Sequence, residues 1–108
     1  MALALIQFSY NSETAGKLIR NPEDRSVALK NLFEKLGGKL LGFYYCFGEY
    51  DGVVIVDMPD DSSLLTASMV AFAGGGTSKI KTTPLITVKE GVAAMKKGSG
   101  LKLQQPKG

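Results

Sequence analysis

Residues 42–61, GFYYCFGEYDGVVIVDMPDD, place two runs of strand-forming residues around a short polar insert. The first run is rich in aromatic residues and the second in β-branched residues, both of which favour strands. The insert, residues 48–52 (GEYDG), begins and ends with glycine, which tolerates the positive φ angles of tight hairpin turns. The stretch therefore predicts a β-hairpin whose connection is GEYDG.

The rest of the chain predicts helices and strands on both sides of this hairpin. Asn21 and Pro22 are typical of a helix start, as cap and first helical residue. Asp60 or Asp61 is expected to cap a later helix. Strands are predicted over residues 3–10, 39–47, 53–58 and 79–86, and helices over residues 14–20, from 22 to about 36, from 61 to about 73, and 87–97.

This order is βαββαβ with an extra short C-terminal helix. One antiparallel sheet with helices on one face is its simplest packing, so the predicted fold class is an α+β, ferredoxin-like domain. The domain is predicted over residues 1–97, and residues 98–108 are predicted to form a basic C-terminal tail.

Both faces of the predicted sheet are apolar. A half-solvated strand alternates apolar and polar residues, and these strands do not. Strict alternation gives the following opposed sets: Leu3 and Leu5 against Ala4, Ile6 and Phe8; Phe43, Tyr45 and Phe47 against Leu40, Tyr44 and Cys46; Val53 and Ile55 against Val54, Val56 and Met58. Two helices cover only one face, with Leu65, Met69 and Phe72 expected to face the core. A second copy of the sheet is expected to cover the other, giving a homodimer, or a higher even oligomer, of the dimeric α/β-barrel type.

Composition excludes several kinds of chemistry. The chain has no histidine and no tryptophan, so the commonest general base and the usual ligand of zinc, copper and haem are missing. No metal and no cofactor are predicted, although the carboxylates of the chain could still hold magnesium or calcium. The single cysteine, Cys46, is expected to be buried and inert. Without a disulfide, a signal peptide or a membrane span, the sequence predicts a cytoplasmic protein that does not bind a membrane.

Charge is concentrated at the C-terminal end. Residues 79–108 contain seven lysines and one acidic residue, Glu90. No aromatic residue follows Phe72, although single-stranded nucleic acid is usually bound with the help of stacking aromatics. Nucleic acid is therefore not an expected partner, and a solvated tail is favoured. Arg20 and Arg25, near a helix start, are expected either to hold an anion or to be solvated.

The polar residues in and around the hairpin are the candidate ligand contacts. A turn is the favoured role of the insert, ahead of a ligand-contacting turn and of acid–base catalysis by Glu49 and Asp51. Asp57 ends an apolar run and is expected either in water or inside the barrel with a partner such as Lys39 or Arg25. The candidate ligand-binding residues are Tyr44, Tyr45, Glu49, Tyr50, Asp51 and Asp57, and no catalytic residue is assigned.

The segment GEYDGVVIVDMPDD resembles the GYD-domain family, named for the Gly-x-Tyr-Asp element seen here as Gly48, Tyr50 and Asp51. The resemblance covers residues 3–90 and includes the first strand, PEDR, LGGKLLGFYY and the PDD helix start. It implies a ferredoxin-like fold of the dimeric α/β-barrel group and supplies no established reaction.

Three functions remain open from the sequence. The favoured one is a non-catalytic domain that binds a small molecule in an apolar cavity between two sheets, or that acts as an assembly module. The alternative is a cofactor-free oxygenase or isomerase that uses a pocket tyrosine or carboxylate, which rests on analogy of fold. The third is a structural role with the basic tail as the contact. Enzymatic activity is left open, and a non-catalytic role is favoured.

Overall fold

The computed structural model describes residues 1–108 and has the predicted order of elements. The strands are β1 (Ala2–Tyr10), β2 (Lys39–Tyr45), β3 (Gly52–Met58) and β4 (Thr77–Leu85), and the helices are α1 (Ser12–Arg20), α2 (Ser26–Lys35), α3 (Asp61–Ala73) and α4 (Val88–Gly98). The strands form one antiparallel sheet in the order β2-β3-β1-β4. The predicted α+β, ferredoxin-like fold is confirmed.

The hydrophobic core lies between the sheet and helices α2 and α3. Ala4, Ile6 and Phe8 alternate along β1, and the register sets each of them beside a residue of β3 that faces the same way. The buried apolar residues are Ala4, Ile6, Phe8, Phe33, Val54, Val56, Met58, Leu64 and Ala67. The period-two pattern of β1 and β3 therefore assigned their core-facing residues correctly.

The opposite face of the sheet, here called the free face, is also apolar at its centre. Leu5 of β1 lies opposite Ile55 of β3, with Leu3 opposite Asp57 on one side of this pair and Val53 opposite Gln7 on the other, and all six residues are partly buried. Helices α2 and α3 pack on the other face, and α1 and α4 contain no buried residue. No helix of this chain therefore buries the free face.

A β-bulge changes the expected orientation of β2. The register shifts between Leu40 and Gly42, so that Leu41 is an extra residue without a partner in β3. Leu40 and Phe43 consequently face the same side and both pack against the core, although strict alternation predicts opposite sides. The strand ends at Tyr45, so Phe47 is almost fully exposed, and Cys46 is exposed rather than buried as predicted.

Helix α2 begins four residues later than the sequence predicts. Asn21 ends α1, where its N–H donates to the Lys17 carbonyl, and the proline that follows disfavours helical geometry at Asn21. The Asp24 carboxylate accepts hydrogen bonds from the N–H (2.9 Å) and hydroxyl of Ser26, and these bonds lower the pKa of Asp24. Asp24 therefore stabilises the turn at which α2 starts.

The buried face of α3 also differs from the prediction. Leu64 and Ala67 are buried, whereas Leu65, Met69 and Phe72 are exposed by 61, 63 and 53%. Because apolar residues surround this helix, their spacing does not select one face. The small Ala67 side chain lets the helix lie close to the sheet.

Asp60 caps α3 and gives the domain a pH-dependent contribution to stability. Its carboxylate accepts a hydrogen bond from the Ser63 N–H (2.7 Å), which holds the pKa of Asp60 below its usual value of 3.8. Since the charged form is favoured only in the folded chain, this contribution is present above pH 3.8 and is lost as the pH falls through the lower folded-state pKa.

We expect Asp60→Ala to lower the melting temperature at pH 7, because the helix loses its cap. The difference from the unmodified protein should narrow as the pH falls below 3.8. Thermal melts followed by circular dichroism measure both effects. Asp61→Ala, one residue along and without a capping bond, is the matched control and should change the melting temperature less. An equal loss in both variants, or a loss independent of pH, would contradict this role.

Helix α4 and the residues after it extend away from the domain. Every residue from Pro84 to the C-terminus is exposed except Gly91. The radius of gyration is 17.8 Å, against about 13 Å for a compact domain of this length. None of the four helices combines the length with the apolar composition that a membrane span requires. We call residues 86–108 the arm.

Candidate functional site

A cavity of about 280 Å³ lies between α2, α3 and the core face of the sheet. Its floor is apolar and comes from the strands. Its walls are mainly apolar and come from the two helices. Ile6, Phe8 and Val54 belong to the floor, and Leu32, Phe33 and Ala71 belong to the walls. The cavity can therefore hold a small, largely apolar molecule.

One end of the cavity is polar. Tyr10, Thr14, Arg25 and Thr77 line it together, although they come from four separate segments of the chain. The Thr77 hydroxyl is buried and has no hydrogen-bond partner. The Arg25 guanidinium has one long contact, 3.5 Å to the exposed carboxylate of Glu23. Both side chains retain unused capacity to bond a polar group of a ligand.

A pair of tyrosines lies beside this polar end. The Tyr10 and Tyr45 hydroxyls are 3.0 Å apart, and their rings pack with Phe8 and Phe43. Burial and the bond to Tyr45 raise the pKa of Tyr10 well above its usual range, while the charge of Arg25 opposes the shift. Tyr10 therefore stays protonated at neutral pH, so it can donate a hydrogen bond and is unsuited to act as a general base.

The GEYDG insert is tied to the end of β1 and to the end of β2 by hydrogen bonds. The Asp51 carboxylate accepts from the Tyr10 N–H (2.9 Å), and the Asp51 N–H donates to the Phe8 carbonyl (2.8 Å). The Ser9 hydroxyl donates to the Glu49 carbonyl, and the Cys46 thiol to the Tyr50 carbonyl. The insert is thus a turn that fixes the backbone at Tyr10, a residue of the cavity.

The two glycines of the insert serve different purposes. Gly48 has φ +118°, which only glycine adopts readily. Gly52 does not have a positive φ, contrary to the prediction. It is buried beside Phe8, whose ring occupies the space that a Cβ would need. Gly52 is therefore required by close packing.

The structure does not bring the six predicted ligand contacts together. Tyr45 does not line the cavity, but its hydroxyl contacts the hydroxyl of Tyr10, which does. Asp51 does not line the cavity either, and its carboxylate binds the backbone N–H of Tyr10. Glu49 and Tyr50 lie outside the cavity, with the Lys79 ammonium 3.8 Å from the Glu49 carboxylate and 4.6 Å from the centre of the Tyr50 ring. Tyr44 and Asp57 lie on strand positions that face the free face, where Asp57 is opposite Lys39 in the register.

Three polar residues that line the cavity were missed, or only weakly indicated, by the sequence analysis. Arg25 was one of two arginines noted as possible anion contacts, and Arg20 does not line the cavity. The two-residue spacing of Tyr10 from Phe8 would place it on the core face of β1, but the residue was not assigned there from the sequence. No sequence pattern marks Thr77 as a functional residue. No group of three acidic or cysteine side chains is arranged to hold a metal ion.

Comparisons with known proteins agree with the observed fold. A family model described as the GYD domain matches residues 5–95. TTHA0845 from Thermus thermophilus superposes with a TM-score of 0.53 at 18% identity, over 81% of this chain and 95% of that one. FFRP-DM1 superposes with a TM-score of 0.51 at 20% identity, over 80% of this chain and 100% of that one. MtbAldR gives 0.58 at 19% identity, over 80% of this chain and 53% of that one. No match was found among curated proteins.

Proposed function

The chain belongs to the GYD-domain family, and from that premise we propose that it is a homodimeric domain that binds a small molecule between α2, α3 and the sheet. The ligand is a largely apolar molecule, about one ring in size, with a single carboxylate or similar acceptor group. This ligand lies on the helix side of one sheet, and not between two sheets as the sequence alone had indicated.

The observation that carries the binding proposal is the contrast between the body of the cavity and its polar end. The volume of about 280 Å³ is at the lower limit for ligand pockets, which favours a fragment-sized molecule. Apolar walls gain from burying a ring. At the polar end, Arg25 supplies positive charge, and the hydroxyls of Tyr10 and Thr77 supply donors for an anionic group.

The free face supports the homodimer. Leu3, Leu5, Val53 and Ile55 form an apolar region, flanked by Gln7 and Asp57, that no helix of this chain covers. Packing two such faces together would remove this surface from water and form the sheet-on-sheet core of a dimeric barrel. The binding cavity lies on the opposite side of the sheet, so it stays open in such a dimer.

The second candidate is an isomerase or cofactor-free oxygenase. The protonated Tyr10 hydroxyl at the cavity end favours it, since such a donor can stabilise an oxyanion that develops on a bound substrate. A general base is also required for proton abstraction, and Tyr10 does not serve as one. Binding is therefore the better supported function.

Benzoate is a suitable probe of the binding proposal, with toluene as its uncharged analogue. We expect benzoate to bind and to raise the melting temperature. Arg25→Gln should weaken benzoate binding by about tenfold or more, since a hydrogen bond to a charged group contributes roughly 1.5–3 kcal/mol. Toluene affinity should stay the same. Isothermal titration calorimetry measures both affinities.

Arg20→Gln is the matched control, because Arg20 carries the same charge and does not line the cavity. It should leave benzoate affinity unchanged. If both substitutions weaken benzoate binding equally, the effect comes from net charge alone, which would contradict a contact to Arg25. If neither benzoate nor toluene binds saturably, the cavity is not a ligand site.

A further inference from the structure

The arm carries an apolar stripe that nothing in its own chain covers. Val88, Val92 and Met95 fall on one side of α4 and are exposed by 84, 42 and 75%. Lys96 and Lys97 stand at the C-terminal end of the same helix. An isolated helix of this length is marginal in water, so α4 needs a surface to pack on.

A second uncovered stripe lies on the flank of α3. Leu65, Met69 and Phe72 are all exposed, and Met69 and Phe72 form one wall of an open groove. The other wall is the edge strand β4, with Ile80 and Thr82. This groove is on the helix side of the sheet, away from the free face. It adjoins the cavity between α2 and α3, with which it shares Ser68 and Ile80.

The two apolar stripes have the same length, and the charged residues next to them have opposite signs. Each covers about two turns of its helix. Asp60 and Asp61 stand at the start of α3, next to the Leu65 end of its stripe, and α3 contains no basic residue. If the helices run antiparallel, Met95 meets Leu65, and the two lysines that follow Met95 come close to these two carboxylates. A parallel arrangement would place those lysines near residues 74–76, where there is no acid.

The course of the chain prevents α4 from reaching the antiparallel position on its own α3. Leu85 at the end of β4 pairs with Leu3, and Ala2 pairs with Met58, just before α3 begins. The end of β4 therefore lies at the same end of the sheet as the start of α3. A helix that starts so soon after Leu85 could fold back on its own α3 only in parallel.

We propose that α4 docks antiparallel in the groove between α3 and β4 of a second copy of this chain, with Met95 against Leu65 and with Lys96 and Lys97 beside Asp61 and Asp60. The contact is reciprocal, so each copy gives its arm and receives one. Because this contact uses the opposite side of the domain from the free face, it joins sheet-paired dimers into a larger even assembly.

Engineered cysteine pairs test this arrangement directly. In a Cys46→Ser background, Leu65→Cys with Met95→Cys places thiols together only if the helices are antiparallel. Leu65→Cys with Val88→Cys does so only if they are parallel. A disulfide needs Cα atoms within about 7 Å, so its formation reports direct contact. After mild oxidation of the folded protein, denaturing gel electrophoresis without reductant separates linked from single chains.

We expect the antiparallel pair to give chains linked between two copies and the parallel pair to give none. Met69→Glu and Met95→Glu, at exposed positions, should each reduce the assembly to a dimer as measured by light scattering after gel filtration. Cross-linking within one chain, cross-linking of the parallel pair alone, or an assembly size unchanged by both glutamate substitutions would overturn the proposal.

Discussion

In a Met95→Glu background, which disables the arm contact, the Ile55→Glu protein is expected to be a folded monomer. Ile55 lies at the centre of the free face, opposite Leu5 of β1 in the register. Because the contact between free faces is two-fold symmetric, the substitution places one glutamate from each copy in the same interface, where both are buried close together. Removing such charges from water and opposing like charges costs about 3 kcal/mol or more, so the dimer should dissociate roughly a hundredfold more readily.

The fold should survive this change because Ile55 points away from the core. Gel filtration with light scattering measures the mass, and circular dichroism checks the fold. The matched control is Ile19→Glu, the same substitution at an exposed position of α1, which should leave the mass unchanged. If the Ile55→Glu substitution leaves the dissociation constant of the dimer unchanged, the dimer interface does not include the free face.

Gly52→Ala is expected to destabilise the domain by about 1–3 kcal/mol, the cost typical of adding a methyl group to a closely packed core. The new Cβ would lie only 2.5 Å from Cε1 of Phe8, a residue that is 7% exposed. That ring cannot move freely, since Tyr10 and Phe43 pack edge-on against it. The substitution should also disturb the cavity, because Phe8 forms part of its floor.

Urea denaturation gives the change in the free energy of unfolding. Gly91→Ala is the control, since it adds the same methyl group to helix α4 at a position where nothing lies within 4 Å. It should not lower stability, because alanine favours a helix more than glycine does. A loss below about 0.5 kcal/mol for Gly52→Ala would show that Phe8 can shift at little cost, contrary to the tight packing described.

The sequence predicted the fold most reliably where one physical rule acted alone. Alternation in β1 and β3 identified both faces because the side-chain period of a strand is fixed at two. The same rule failed in β2, where Leu41 forms a bulge that the composition does not reveal. In α3, apolar residues surround the helix, so the exposed Met69 was assigned to the core in place of Ala67.

The candidate site was less accessible to sequence analysis. Tyr10, Arg25 and Thr77 come together only when β1, the start of α2 and β4 pack around one cavity. None of them belongs to a motif with a recognisable spacing. The conspicuous GEYDG insert attracted the functional hypothesis, and its main contacts are instead the backbone bonds that fix Phe8 and Tyr10.

Sedimentation equilibrium of the Met95→Glu protein tests most directly whether the free face pairs with a second copy. This substitution disables the arm contact and leaves the free face intact, so it isolates pairing through the sheet. We predict a stable species of twice the 11.5 kDa chain mass, which dissociates when Ile55→Glu is added. A single species of 11.5 kDa at every concentration would contradict the proposed homodimer.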